Sequence, residues 1–164
     1  MFAETTTPAD VKALEYLLDA SVVSKAVLGP ETDRRAYFES ARKCETHLFL
    51  DPDTGVALAK KLRRESPSYL FDDELLEIAH ARPHLLTLAF DQSVARGNER
   101  QQLDAKLSAF ADRGLHGLAY VSHACFLLVG TDAGLMNRAT QTVRECSRLP
   151  AAPFITRGAA EHGA

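Results

Sequence analysis

The chain has 164 residues, 19 basic against 22 acidic side chains and a formal charge of −3; 46% of its residues are hydrophobic and 25% charged. These are the size and composition of one globular domain, since domains most often run about 100–150 residues, and they exclude a disordered chain, which could not bury so much apolar surface. No apolar run approaches the ~18 residues of a membrane span, and the interspersed charges set up no global field for nucleic acid.

Three cysteines (Cys44, Cys125, Cys146) are an odd number without CxxC spacing, so neither a disulfide framework nor a structural zinc site is expected. The N-terminal text MFAETTTPADVK lacks the basic and apolar segments of a signal peptide. The expected compartment is therefore a reducing cytoplasm, with no membrane partner.

In chain order, Thr7-Pro8-Ala9-Asp10 reads as a helix start, and Leu14, Leu17, Leu18, Val22 and Val23 continue it until Gly29-Pro30. Residues 33–43 form a second short helix with Tyr37 and Phe38 facing inward. Residues 47–50 are a buried strand running into the turn Asp51-Pro-Asp-Thr-Gly55. Residues 56–69, with Lys60, Lys61, Arg63 and Arg64, read as a surface loop. An amphipathic helix over 71–81 follows, its stripe Leu75, Leu76 and Ile78, and Pro83 ends it. A second buried strand covers 85–90 and again ends in an acid, Asp91. The spacing of Leu103, Leu107 and Phe110 predicts a helix over 98–113, closed by Gly114. A third strand spans 117–122; residues 124–129 either continue it or form a fourth after a hairpin. Thr131 can cap a helix over 133–145.

No repeat or internal boundary breaks the chain. The expectation is a single α/β domain over residues 1–149 and a loose tail over 150–164. Strands alternating with helices point to βαβ units, hence a three-layer sandwich with a short, mainly parallel, Rossmann-like sheet. Such sheets place ligands at the carboxyl ends of their strands.

That rule selects the candidate site. Asp51 and Asp53, two apart in an extended segment, can face the same cation, and Asp91 at the end of a neighbouring strand can complete a Mg²⁺ site. Thr54 offers a hydroxyl in the same turn. Gln92 and Ser93 follow Asp91, and Arg96 and Arg100 can neutralise phosphate. His123, at the third strand end, can serve as acid or base. The candidate catalytic residues are thus Asp51, Asp91 and His123; the metal ligands Asp51, Asp53 and Asp91; the substrate contacts Thr54, Gln92, Ser93, Arg96 and Arg100. The same DPDTG text is also ordinary turn chemistry, and Asp91-Gln92-Ser93 can equally cap the next segment. GxGxxG, GxxxxGK[ST] and GxSxG are all absent, so the usual dinucleotide loop, P-loop and nucleophile elbow are unsupported.

Residues 35–129 resemble a group of uncharacterised bacterial proteins. The resemblance is carried by LFLDPDTG (residues 48–55), SPSYLFDDEL (66–75) and LTLAFDQSVARG (86–97). It covers somewhat over half the chain and implies no assigned activity. Three fainter likenesses exist: the Asp-Pro-Pro-Tyr strand end of amino-methyltransferases, the DxDxT start of haloacid-dehalogenase-type phosphatases (with Gly55 departing from that pattern), and the ends of a PIN-type nuclease.

The leading expectation is a Mg²⁺-dependent phosphoryl-transfer or phosphodiester-hydrolysing, nuclease-like enzyme acting on a phosphate-containing substrate or nucleic acid. One alternative is a degenerate S-adenosylmethionine methyltransferase-like domain. The other is a non-catalytic interaction module, with the helix over 14–23 serving a homodimer interface.

Overall fold

The computed structural model describes residues 20–24, 26, 28–58, 67–122, 124–147 and 154–158, leaving aside the side chain of Phe154. The helix expected from Pro8 lies outside the described residues as far as residue 19, and residues 20–23 are not helical. The basic run at 60–64 and His123 also lie outside them.

Two short helices open the described fold, α1 (Arg34–Tyr37) and α2 (Glu39–Lys43). The Asp33 carboxylate caps α1, accepting from the backbone N–H groups of Arg35 and Ala36. Then come β1 (Leu48–Leu50), β2 (Gly55–Ala57), β3 (Tyr69–Phe71), α3 (Asp72–His80), β4 (Thr87–Asp91) and α4 (Glu99–Ala111). The order finishes with β5 (His116–Val121), β6 (Cys125–Gly130), α5 (Ala133–Glu145) and β7 (Phe154–Arg157).

Five strands form one sheet in the order β1-β4-β6-β5-β7, and β2 and β3 form a separate parallel pair. Only β1 and β4 run parallel in the large sheet; β4–β6, β6–β5 and β5–β7 are all antiparallel. This corrects the expected three-layer, mainly parallel, Rossmann-like sheet: the molecule is a mixed α/β fold. The physical reason is the β5–β6 connection. It is a tight hairpin, closed by Ser122 N–H donating to Ala124 C=O at 2.9 Å, and two strands joined so closely can only be antiparallel. β6 then inserts between β4 and β5.

Three local expectations also change. The supposed loop after residue 55 begins with β2, whose Val56 is fully buried. The supposed loose tail contains β7, paired with β5. Asp132, not Thr131, caps α5, accepting from Leu135 N–H at 2.8 Å, while the Thr131 hydroxyl donates to Pro83 C=O. The other elements fall where the apolar spacing places them, and Gly114 closes α4 with φ +85°, a conformation that L side chains rarely adopt.

The main core lies on one face of the sheet. Leu75 and Ile78 of α3 and Leu103, Leu107 and Phe110 of α4 pack there against Ala89, Ala119, Leu127 and Val129. Each such large side chain contributes about 1.5–3 kcal/mol when fully buried. On the opposite face α5 brings Met136 onto Leu86 and Leu118, with Leu128, Leu135 and Val143 around them.

Two arginines join elements distant in sequence. Arg34 forms a fork to Glu74 at 2.5 and 2.7 Å and donates to Tyr69 C=O, while Glu74 also accepts from Phe71 N–H at 2.9 Å. Arg82, 4% exposed, donates to Cys44 C=O (3.1 Å), Thr46 C=O (2.8 Å) and the Thr87 hydroxyl (3.2 Å). It thereby holds the segment entering β1 against the segment entering β4.

Candidate functional site

Strand alternation turns Thr87, Ala89 and Asp91 of β4 toward the main core. Asp91 is 1% exposed, so its charge must be met inside the protein. One carboxylate oxygen, Oδ1, accepts from Val56 N–H (3.1 Å), Ser93 N–H (3.1 Å) and the Ser93 hydroxyl (2.7 Å). The other, Oδ2, is 2.5 Å from Nζ of Lys106, itself 7% exposed on α4. The ammonium also donates to Ser93 Oγ at 2.7 Å, and Val56 C=O lies 3.1 Å from the same hydroxyl. Since Ser93 has one hydroxyl proton, it accepts from Lys106 and donates to Asp91 or to Val56 C=O. Asp91, Lys106 and Ser93 therefore form a neutral network that binds β2 across the end of β4.

Gly55 makes that crossing possible. Its φ is +118°, and a Cβ at this position would lie 2.2 Å from Asp91 Oδ1 and 2.8 Å from Gln92 N. A turn residue with a side chain cannot bring β2 so close to the carboxylate.

The end of β1 is built differently. Asp51 and Asp53 are both exposed on the turn between β1 and β2. Thr54, half-buried, ties that turn to the approach of β3, its N–H donating to Ser68 C=O at 2.9 Å. Partial burial, and then the neighbouring Asp53 charge, hold the Asp51 carboxyl above the usual aspartate range.

The expected three-carboxylate cation site does not assemble. Among the described residues no group of three or more His, Cys, Asp or Glu side chains is placed to hold a metal ion. The register explains this. Leu50 is opposite Ala89, so Asp51 comes one step on, in line with Phe90, and Asp91 lies one step further again. Asp91 points with Ala89 into the core, whereas Phe49 and Phe90 share the other face. Lys106 already occupies the position next to Asp91 where a cation would sit. Asp91 and Ser93 are thus linked to each other but not to Asp51.

Gln92, Arg96 and Arg100 are exposed beyond the β4 end. Arg100 borders an open groove of about 690 Å³ between the start of α4 and β7, which Asn98, Asp104 and Thr156 also line. Lys106 was not singled out from the sequence, although a signal exists: it is three residues after Leu103 and four before Phe110, on the apolar stripe of α4. A lysine on such a stripe calls for a buried carboxylate partner.

No family model, curated protein or solved structure matches the chain.

Proposed function

We propose that the chain is a divalent-metal-dependent enzyme of the phosphoryl-transfer or phosphodiester-hydrolysing class, with the turn between β1 and β2 as its cation site. The observation that carries this reading is the pair of exposed carboxylates on that turn, with partial burial first and the Asp53 charge second disfavouring the ionised form of Asp51. A hard cation taking an oxygen from each relieves that repulsion, and Mg²⁺ needs only one or two carboxylates beside water and phosphate oxygens. Arg96 and Arg100, exposed past the neighbouring strand end, supply positive charge for a phosphate-containing substrate or nucleic acid. His123 retains its sequence-based role as an accessory acid or base. Asp91 leaves the ligand set and becomes a positioning residue, acting through Ser93 and Val56 on the turn that carries Asp51.

Mn²⁺ titration followed by water proton relaxation, with Mg²⁺-dependent cleavage of bis-p-nitrophenyl phosphate in parallel, tests the reading. The expected result is Mn²⁺ binding that Asp51→Asn and Asp53→Asn each weaken at least tenfold, with cleavage lost alongside. No Mn²⁺ binding by the unaltered chain at millimolar concentration overturns it. The methyltransferase-like alternative keeps only its DPD strand end as support, the sheet having one parallel pair.

A further inference from the structure

We infer that β7 and the groove beside it take an extended, acidic peptide segment as a sixth strand of the large sheet. Among the described residues β7 is paired on one side only, with β5, and it ends the strand order. Ile155 is half-buried, and Thr156 and Arg157 are exposed. An edge strand presents backbone N–H and C=O groups to any extended chain. The groove of about 690 Å³ follows that edge, with Ile155, Thr156 and Arg157 on one side and the first turns of α4 on the other. Ligand clefts commonly hold about 300–1,000 Å³. Main-chain pairing along an edge, with side chains entering a neighbouring pocket, is how strand addition recognises a peptide.

The charges of the groove select the partner. Edge strands are commonly guarded by a charged side chain, and Arg157 stands where one is expected. Its Nε donates to the Asp104 carboxylate at 2.9 Å, which ties it to α4. Glu99 accepts from Gly97 N–H at 2.9 Å. Arg100, exposed, is the remaining charged residue of the lining, and its guanidinium has no hydrogen bond or ion pair among the described residues. One carboxylate side chain on the added strand supplies that partner. Two acids standing among the two arginines suit a single carboxylate rather than a run of phosphates.

Chain direction places the carboxylate. Helix α4 packs on β5 and leads into it through residues 112–115, so the two run in opposite senses. β7 is antiparallel to β5 as well, and α4 and β7 therefore run in the same sense. The ion pair sets Asp104 level with Arg157. Arg100, four residues earlier on α4, lies about 6 Å back along the helix. At about 3.4 Å per strand residue that is the level of Ile155. Ile155 packs against the main core, on the face that α4 covers. A residue directly across from it on an added strand points to the same face, so an acidic side chain opposite Ile155 meets Arg100.

Peptide titration combined with hydrogen exchange tests the inference. The probes are fluorescein-labelled hexapeptides of alternating Thr and Val, amidated at the C-terminus, with each Thr replaced in turn by Glu or by Lys. The full chain is kept in EDTA, so the result does not depend on the cation site. The expected result is saturable binding of a Glu peptide at least fivefold tighter than its Lys counterpart, with slowed deuterium exchange at an amide of residues 155–157. Arg100→Glu is expected to abolish the preference for Glu. Gln101→Trp, at an exposed position of the groove lining, is expected to fill the groove and weaken every peptide at least fivefold. No binding at millimolar peptide overturns the inference, as does binding that leaves exchange in β7 unchanged or that neither substitution alters. Full protection of all three amides before peptide is added places another occupant on the edge, and tighter binding of a thymidine hexanucleotide at the same amides assigns the groove to nucleic acid. Either result also overturns it.

Discussion

Two neighbouring parallel strands end in an aspartate, and the two carboxylates have opposite environments. At the end of β4, Asp91 faces the core, and its oxygens are engaged by two backbone N–H groups, a hydroxyl and an ammonium. At the end of β1, Asp51 faces outward beside Asp53, partly desolvated and electrostatically unsupported by it. The residue type and the apolar run before it are the same in both places. Side-chain parity separates them: one residue of register moves the acid from the core face to the opposite one. A carboxylate at a strand end is thus a structural group or a ligand depending on the face it takes.

The comparison breaks most sharply at Lys106. Lys106→Met leaves Asp91 charged, buried and without its ammonium, and is expected to cost about 3–5 kcal/mol in urea denaturation. Adding Asp91→Asn should recover part of that loss; a double variant no more stable than Lys106→Met alone shows that the network is not held by charge pairing. Gly55→Ala comes next. A side chain forced into φ +118° against Asp91 is expected to cost about 1–3 kcal/mol, and a cost near zero shows that β2 does not need its close approach.

The smallest effect is expected at Asp51. Because its carboxyl is held above the usual range, the fold disfavours the ionised form. Stability from this group is therefore complete below the ordinary aspartate range and is lost as pH rises through the raised value. Asp51→Asn should thus be slightly more stable than the unaltered chain at pH 7, by no more than about 0.5 kcal/mol at so exposed a position. The difference should vanish at pH 3, and saturating Mn²⁺ should reverse its sign by stabilising only the unaltered chain. Equal stability at both pH values shows that neither partial burial nor the Asp53 charge disfavours the ionised Asp51 carboxylate.

Much of the fold was legible because apolar spacing reports burial. Leu75, Leu76 and Ile78 marked α3, and Leu103, Leu107 and Phe110 marked α4, since helical periodicity is local. Strand direction was not legible, because periodicity is the same for parallel and antiparallel partners. The close approach of Ser122 and Ala124, which settles the antiparallel order of β5 and β6, was visible only as one of two options. β2 was hidden because Gly55, Val56 and Ala57 are too few to show alternation and are followed by basic text. For the site, Asp51 and Asp91 were both found as strand-end acids, but their separation onto two faces depends on the offset between β1 and β4. Lys106 was passed over because lysine on a helix usually belongs to the solvated side.

Arg82 has a consequence for motion. Its guanidinium, buried against the neutral oxygens of Cys44, Thr46 and Thr87, straddles the entrances to β1 and β4, with 36 residues separating it from Thr46. A three-residue edge strand would ordinarily fray by itself. Here β1 cannot lift away without stripping those carbonyls of their donor, so the Leu48 amide, bonded to Leu86 C=O at 3.0 Å, should exchange with deuterium at the same rate as the start of β4. The outermost strand and its neighbour then open as one cooperative unit, and the turn bearing Asp51 is carried on an edge that stays shut.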